Sequence, residues 1–132
     1  MLEVSGALIR NEQSRLLVLH RNLPGMVWWE VPGGKCRPGE SHEYTAQREV
    51  REELGVEIRT LRQLGEMVFR PQSGEFRYTY FAAELRDSQS IPTPQEPIHD
   101  MAEWMTLDSL RHSHILSPVL AYAVKQIVDG NF

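Results

Sequence analysis

Residues Gly34–Val56 read GKCRPGESHEYTAQREVREELGV. Within this stretch Ser41–Leu54 carries the marks of a helix. Ser41 is a good N-cap, and Glu43 lies in the first turn, where the helix dipole favours anions. Gly55 stands where a helix commonly ends. Ala46, Val50 and Leu54 recur at four-residue spacing and make one apolar stripe. At about 100° per residue, Glu49, Glu52 and Glu53 fall at about 0°, −60° and +40°, so three carboxylates share one face. The apolar stripe lies at about 60–140° on the same wheel, so the carboxylates border the buried face. Like charges at these spacings cost an isolated helix a few tenths of a kcal/mol per pair. A divalent cation would account for that cost, since clustered hard oxygen donors suit Mg²⁺ or Mn²⁺. Glu40 adds a fourth carboxylate before the helix, and Arg48 can pair with a glutamate and fix its orientation.

Each of these pieces is commonplace alone. Paired glutamates are usually a solvated face, and Pro32-Gly33-Gly34 is a turn. Together they match Gly-x5-Glu-x7-Arg-Glu-U-x-Glu-Glu-x-Gly-U, with U a bulky aliphatic residue. The matching residues are Gly34, Glu40, Arg48, Glu49, Val50, Glu52, Glu53, Gly55 and Val56. At ordinary residue usage, such a match at a given start has a chance on the order of 10⁻⁸. The stretch is similar to the Nudix box, complete and without departure, and WWEVPGG before it resembles the lead-in common in that family.

The flanking sequence is punctuated by Gly and Pro. Leu2–Arg10 and Arg15–Arg21 read as two strands forming a hairpin, and Met26–Val31 as a short aromatic strand. Val56–Arg70 and Arg77–Leu85 read as two more strands around a turn at Pro71–Gly74. Arg86–Pro97, with its prolines, reads as a mobile surface loop. Trp104–Thr106 is a short strand and Leu107–Arg111 a short helix. Ser117, Pro118 and Gly130 bound a last helix, whose Leu120, Ala123, Val124, Ile127 and Val128 face the core. The order of elements predicts an α/β fold with a mixed sheet between helices.

The chain has 132 residues, which fits one domain over residues 1–132. A formal charge of −4 argues against duplex nucleic acid as the main partner, because neutralising phosphates takes a basic face. A single cysteine, Cys36, excludes an internal disulfide. No signal peptide and no apolar run long enough to cross a membrane is visible, so the expectation is a cytoplasmic protein. None of the five histidines has the i, i+4 spacing of a zinc helix, and no base stands near Cys36 in sequence.

The Nudix resemblance implies an α/β/α sandwich of MutT-like type. It implies Mg²⁺- or Mn²⁺-dependent hydrolysis of a pyrophosphate linkage in a nucleoside diphosphate linked to some group X. On that resemblance Glu49, Glu52 and Glu53 would be metal ligands, with the Gly33 carbonyl completing the set. Arg48 would orient Glu49, Gly34 would shape the loop, and Glu40 would support the site. The general base would be Glu53 or a glutamate of a later loop, Glu96 first, with Asp100 and Glu103 behind it; Glu96 would also join the metal ligands, and Glu52 and Arg48 would take part in catalysis with Glu53. Trp28 and Trp29 alternate, so one faces the core and the other can stack on a base. Trp29 is the candidate, with Arg70 and Arg77 reaching a phosphate or base.

The expected substrate is a small-molecule nucleotide, an NTP or dNTP, standard or oxidised, cleaved to NMP and pyrophosphate. Pro71, fifteen residues beyond Val56, points to ADP-ribose or a nucleoside diphosphate sugar as the alternative. Against it, the chain is short for the additional N-terminal sheet of such enzymes. A nucleotide-sensing Nudix domain without catalysis would typically lack box glutamates, and all four are present. A monomer or a homodimer is expected.

Overall fold

Strand β1 (Leu2–Ile9) and strand β2 (Leu16–Leu23) explain the architecture through their alternation. Ala7 and Ile9 of β1 pack in one cluster with Leu17 and Leu19 of β2, while Leu8 packs with Leu16 and Val18 in another. Successive side chains point to opposite faces, so apolar runs of this kind are buried on both sides. Around them stand β3 (Met26–Glu30), β4 (Gly33–Lys35), α1 (His42–Leu54), β5 (Ile58–Phe69), β6 (Phe76–Leu85), β7 (His99–Met105), α2 (Leu107–Arg111) and α3 (Pro118–Val128). The computed structural model describes all of Met1–Phe132.

The mixed arrangement expected between the helices is built as two sheets. The first has the order β4-β1-β6-β5 and is mixed, with β1 parallel to β6. The second, β3-β2-β7, is antiparallel. The expected β1–β2 hairpin is reduced to one bridge, Arg10 to Leu16, because each strand enters a different sheet. One cluster lies under α1, where Val50 and Leu54 meet Ile9, Leu17 and Ile58. The other lies under α3, where Leu120, Ala123 and Val124 meet Val18, Tyr78 and Tyr80. Helices on both faces give the α/β/α sandwich.

Two further readings are corrected. Strand β7 begins at His99, well before Trp104, because its register on β2 runs from Arg21–His99 to Leu16–Met105. The stretch Arg86–Pro97 is a loop, yet it is fastened. Thr93 N–H donates to Leu54 O at 3.0 Å and Gln95 N–H to Glu53 O at 2.9 Å. These bonds satisfy carbonyls that the end of a helix leaves open. At the same end Gly55 has φ 68° and donates its N–H to Arg51 O at 3.0 Å. At the other end Ser41 Oγ accepts from Tyr44 N at 3.1 Å.

Candidate active site

The box helix meets the Gly33–Gly34 strand at the edge of the first sheet, where Ser5 pairs with Gly34 and Gly6 with Gly33. Both glycines are required by space. A Cβ on Gly34 would run into the Glu49 carboxylate, and one on Gly33 would come within 2.5 Å of the Tyr78 hydroxyl. With no side chain in the way, Gly33 N–H donates to Glu53 Oε1 at 2.8 Å.

Arg48 is buried, with its side chain 6% exposed, and is the organiser of the cluster. Its Nε and Nη2 hold both oxygens of Glu40, at 2.6 and 2.9 Å. Its Nη1 donates to Glu49 Oε1 at 3.0 Å and to Glu52 at 3.1 Å. Nη2 also reaches Lys35 O at 3.0 Å, which ties the loop to the helix. A planar guanidinium can serve several acceptors in fixed directions in a way an ammonium cannot. Hydrogen bonds from Arg48, joined by Arg37 N–H and the Thr45 hydroxyl, hold the Glu40 carboxyl down at about 2 despite a small opposing cost of burial.

Glu49 and Glu53 behave differently. Burial raises Glu49, and the charges of Glu52 and Glu96 add to this against Arg48. Burial pushes Glu53 up to about 9, helped by the charges of Glu49, Glu30 and Glu96 and opposed by the Gly33 N–H. Exposed Glu96 therefore stands near enough for both box carboxylates to feel it. Buried carboxylates that destabilise one another in this way fit a hard divalent cation, which would relieve both the burial and the repulsion. Glu49, Glu52 and Glu53 are the residues that could hold it.

Three residues of the site were not singled out from sequence. Glu30, at the end of β3, has four donors. Oε1 accepts from Arg21 Nε at 2.7 Å and Trp28 Nε1 at 2.8 Å. Oε2 accepts from Arg21 Nη2 at 3.0 Å and lies 2.9 Å from His99 Nε2. Burial works to raise Glu30, but the bonds from His99, Arg21 and Trp28 outweigh it and hold the carboxyl down at about 2. Glu30, Glu53 and His99 offer ligand atoms within 4.8 Å of one another. Of the three, only Glu53 is free of a side-chain hydrogen-bond partner, so Glu30 and His99 are already committed to each other and to Arg21. The available signal was strand alternation: a carboxylate two residues after Trp28 in an apolar strand must share its face.

That alternation also separates the tryptophans. Trp29 packs against the core under α3 and lies edge-on to His20, with ring centroids 4.9 Å apart. Trp28 instead lines a cavity of about 620 Å³ with Val4, Phe69, Phe76 and Tyr78, beside Gly33 and Gly34. Arg70 and Pro71 stand at its mouth, and Arg70 is paired with Glu75 at 3.0 Å. Arg77 lies outside the cavity, paired with Glu3 at 3.4 Å. Asp100 is held by His20 at 2.7 Å and Asn22 at 2.9 Å.

The family model of the NUDIX domain matches residues 2–125. The chain belongs to the Nudix family. It is 30% identical over 104 residues to the CMP-5'-(N-acetyl-N-hydroxy-3-aminopropyl)phosphonate hydrolase of Streptomyces rubellomurinus, covering 76% of this chain and 49% of that one. To the NAD-capped RNA hydrolase NudC of Pseudomonas aeruginosa it is 34% identical over 104 residues, covering 76% of this chain and 34% of that one. The chain thus spans half or less of the length of these curated relatives. The crystal structure of a MutT protein from Methanosarcina mazei superposes with a TM-score of 0.84 over 98% of this chain and 94% of that one. At 24% identity this likeness speaks for the Nudix fold alone. No helix of this Nudix domain is long and apolar enough to cross a membrane.

Proposed function

We propose that this Nudix domain is a Mg²⁺- or Mn²⁺-dependent pyrophosphohydrolase that cleaves a nucleoside triphosphate to the monophosphate and pyrophosphate. The observation that carries the reading is a juxtaposition. An apolar cavity of about 620 Å³, the size of a small-ligand pocket, opens at the same Gly33–Gly34 strand that packs on the box carboxylates. A nucleoside seated against Trp28, Phe69 and Phe76 would lay its phosphates across Glu49 and Glu53. The relatives' names, a CMP derivative and NAD-capped RNA, are also nucleotide compounds.

A bound divalent cation would polarise phosphoryl oxygens and offset the charge of pyrophosphate against an acidic site. The chain's own part is positioning and proton transfer. Arg48 and Glu40 fix the oxygens of Glu49 and Glu52, while Gly33 N–H and the α1 backbone fix Glu53. A water oxygen bonds to phosphorus, the anhydride P–O bond breaks, and pyrophosphate leaves with the electron pair. The water's proton passes to a carboxylate, Glu53 or Glu96. General base catalysis is worth roughly 10²–10⁴-fold, so replacing the true base with Gln lowers kcat by that order. Glu53→Gln and Glu96→Gln, assayed side by side, assign the role, and full activity in both would refute the assignment.

Pro71 at the cavity mouth favours one second reading, an ADP-ribose or nucleoside diphosphate sugar substrate. Release of AMP and ribose phosphate from ADP-ribose, in preference to cleavage of triphosphates, would replace the first reading with this one.

A further inference from the structure

The polar groups in the cavity wall are unevenly spent. Glu30 is acceptor-only, and each of its oxygens already faces two donor nitrogens, from Arg21, Trp28 and His99. A carboxylate has about four lone-pair sites, so Glu30 has nothing left for a ligand. Arg21 is the reverse. Its Nε and Nη2 are fixed on Glu30 at 2.7 and 3.0 Å, and Nη1 has no side-chain or backbone partner. The guanidinium is half-buried, lines the cavity, and stands opposite Trp28 in the β2–β3 ladder. Tyr78, also in the wall, is 4% exposed, and its hydroxyl is buried against the Gly6 and Gly33 backbone, out of a ligand's reach. The open valence that faces the cavity is thus the Arg21 N–H edge, which can only donate.

We propose that Arg21 makes this cavity selective for nucleotides whose base presents an oxo group, and selective against those presenting an amino group at the same place. An oxo oxygen meets the free Nη1–H edge of Arg21. An exocyclic amino group sets donor against donor and leaves a charged N–H unpaired away from water. Glu30 acts through Arg21 as a positioning residue, since its four bonds hold the guanidinium in one orientation. The inference rests on the nucleotide reading of the cavity given above.

Two substrate pairs carry the contrast. ITP and ATP differ at the base by an oxo group beside a ring N–H against an amino group beside a bare ring nitrogen, and so do UTP and CTP. With Mg²⁺ present, kcat/KM is expected to favour ITP over ATP and UTP over CTP by roughly 10- to 100-fold, the discrimination of one charged hydrogen bond. Arg21→Lys keeps a cation on Glu30 but withdraws the second N–H edge, and both ratios are expected to fall to within about threefold. Ratios near one in the parent protein overturn the inference. So does an equal loss on all four substrates in Arg21→Lys, which would make Arg21 a phosphate contact. If none of the four is cleaved, the proposed function falls instead. The cavity is then tested by NMR titration of inosine against adenosine: preference for inosine supports the inference, and equal binding or none refutes it.

Discussion

Glu53 shows how a single residue records the purpose of its surroundings. A carboxyl with a pKa near 9 is stable in the fold as the acid and costly there as the anion. Its folded value lies above its unfolded one, so its contribution to stability is complete below about 4.5 and is lost as pH rises through about 9. In metal-free protein, thermal melts of the parent should therefore fall relative to Glu53→Gln between pH 5 and 9, with the variant the more stable at pH 8. Parallel melting curves for the two across that range would contradict this. Arg48 presents the opposite case, a buried cation among three carboxylates. Arg48→Met should cost about 3 kcal/mol or more in urea unfolding, because it leaves Glu40 and Glu49 uncompensated. A change below about 1 kcal/mol would show that the network is looser than its distances imply. The box residues were legible because their spacing is rigidly patterned. Glu30, Arg21 and His99 were not, because strands β2, β3 and β7 bring them together across the chain, and the alternation that sets Glu30 on the face of Trp28 does not reach Arg21 or His99.

At the scale of elements, the box helix is held at both ends by segments remote in sequence. The Gly33–Gly34 strand lies under its carboxylates and the Arg86–Pro97 loop closes its last turn. Gly34→Ala should leave the fold intact yet weaken Mn²⁺ binding by about 10- to 100-fold, as displaced ligand geometry typically does. Calorimetric titration with Mn²⁺ checks it, and unchanged affinity would mean that Glu49 can give way freely. Leu54→Ala, at a fully buried position in the cluster under α1, should cost about 2–5 kcal/mol in urea unfolding, and a smaller loss would mean that the cluster collapses to fill the space. Helix α1 was readable from its caps and stripe, and α3 from Ser117, Pro118 and its apolar period. The β1–β2 hairpin was misread because a short polar stretch between apolar runs marks a chain reversal without saying whether the strands stay paired. Here both strands are buried on two faces, and each finds other neighbours.

For the whole molecule, two sheets between helices set an apolar cavity beside an acidic cluster. The cavity is built from β1, Arg21 of β2, β3, β4, the β5–β6 turn and the start of α3. No local stretch announces it, which is why Trp28 was passed over for Trp29. The most direct test of the central claim is a product analysis. The purified protein and Glu53→Gln are incubated with nucleoside triphosphates and Mg²⁺, and the products are resolved by anion exchange. The account predicts nucleoside monophosphate and pyrophosphate in equal amounts from the parent, with the rate lost in Glu53→Gln by orders of magnitude. Binding of nucleotide without turnover in the parent, or equal turnover in both proteins, would contradict it.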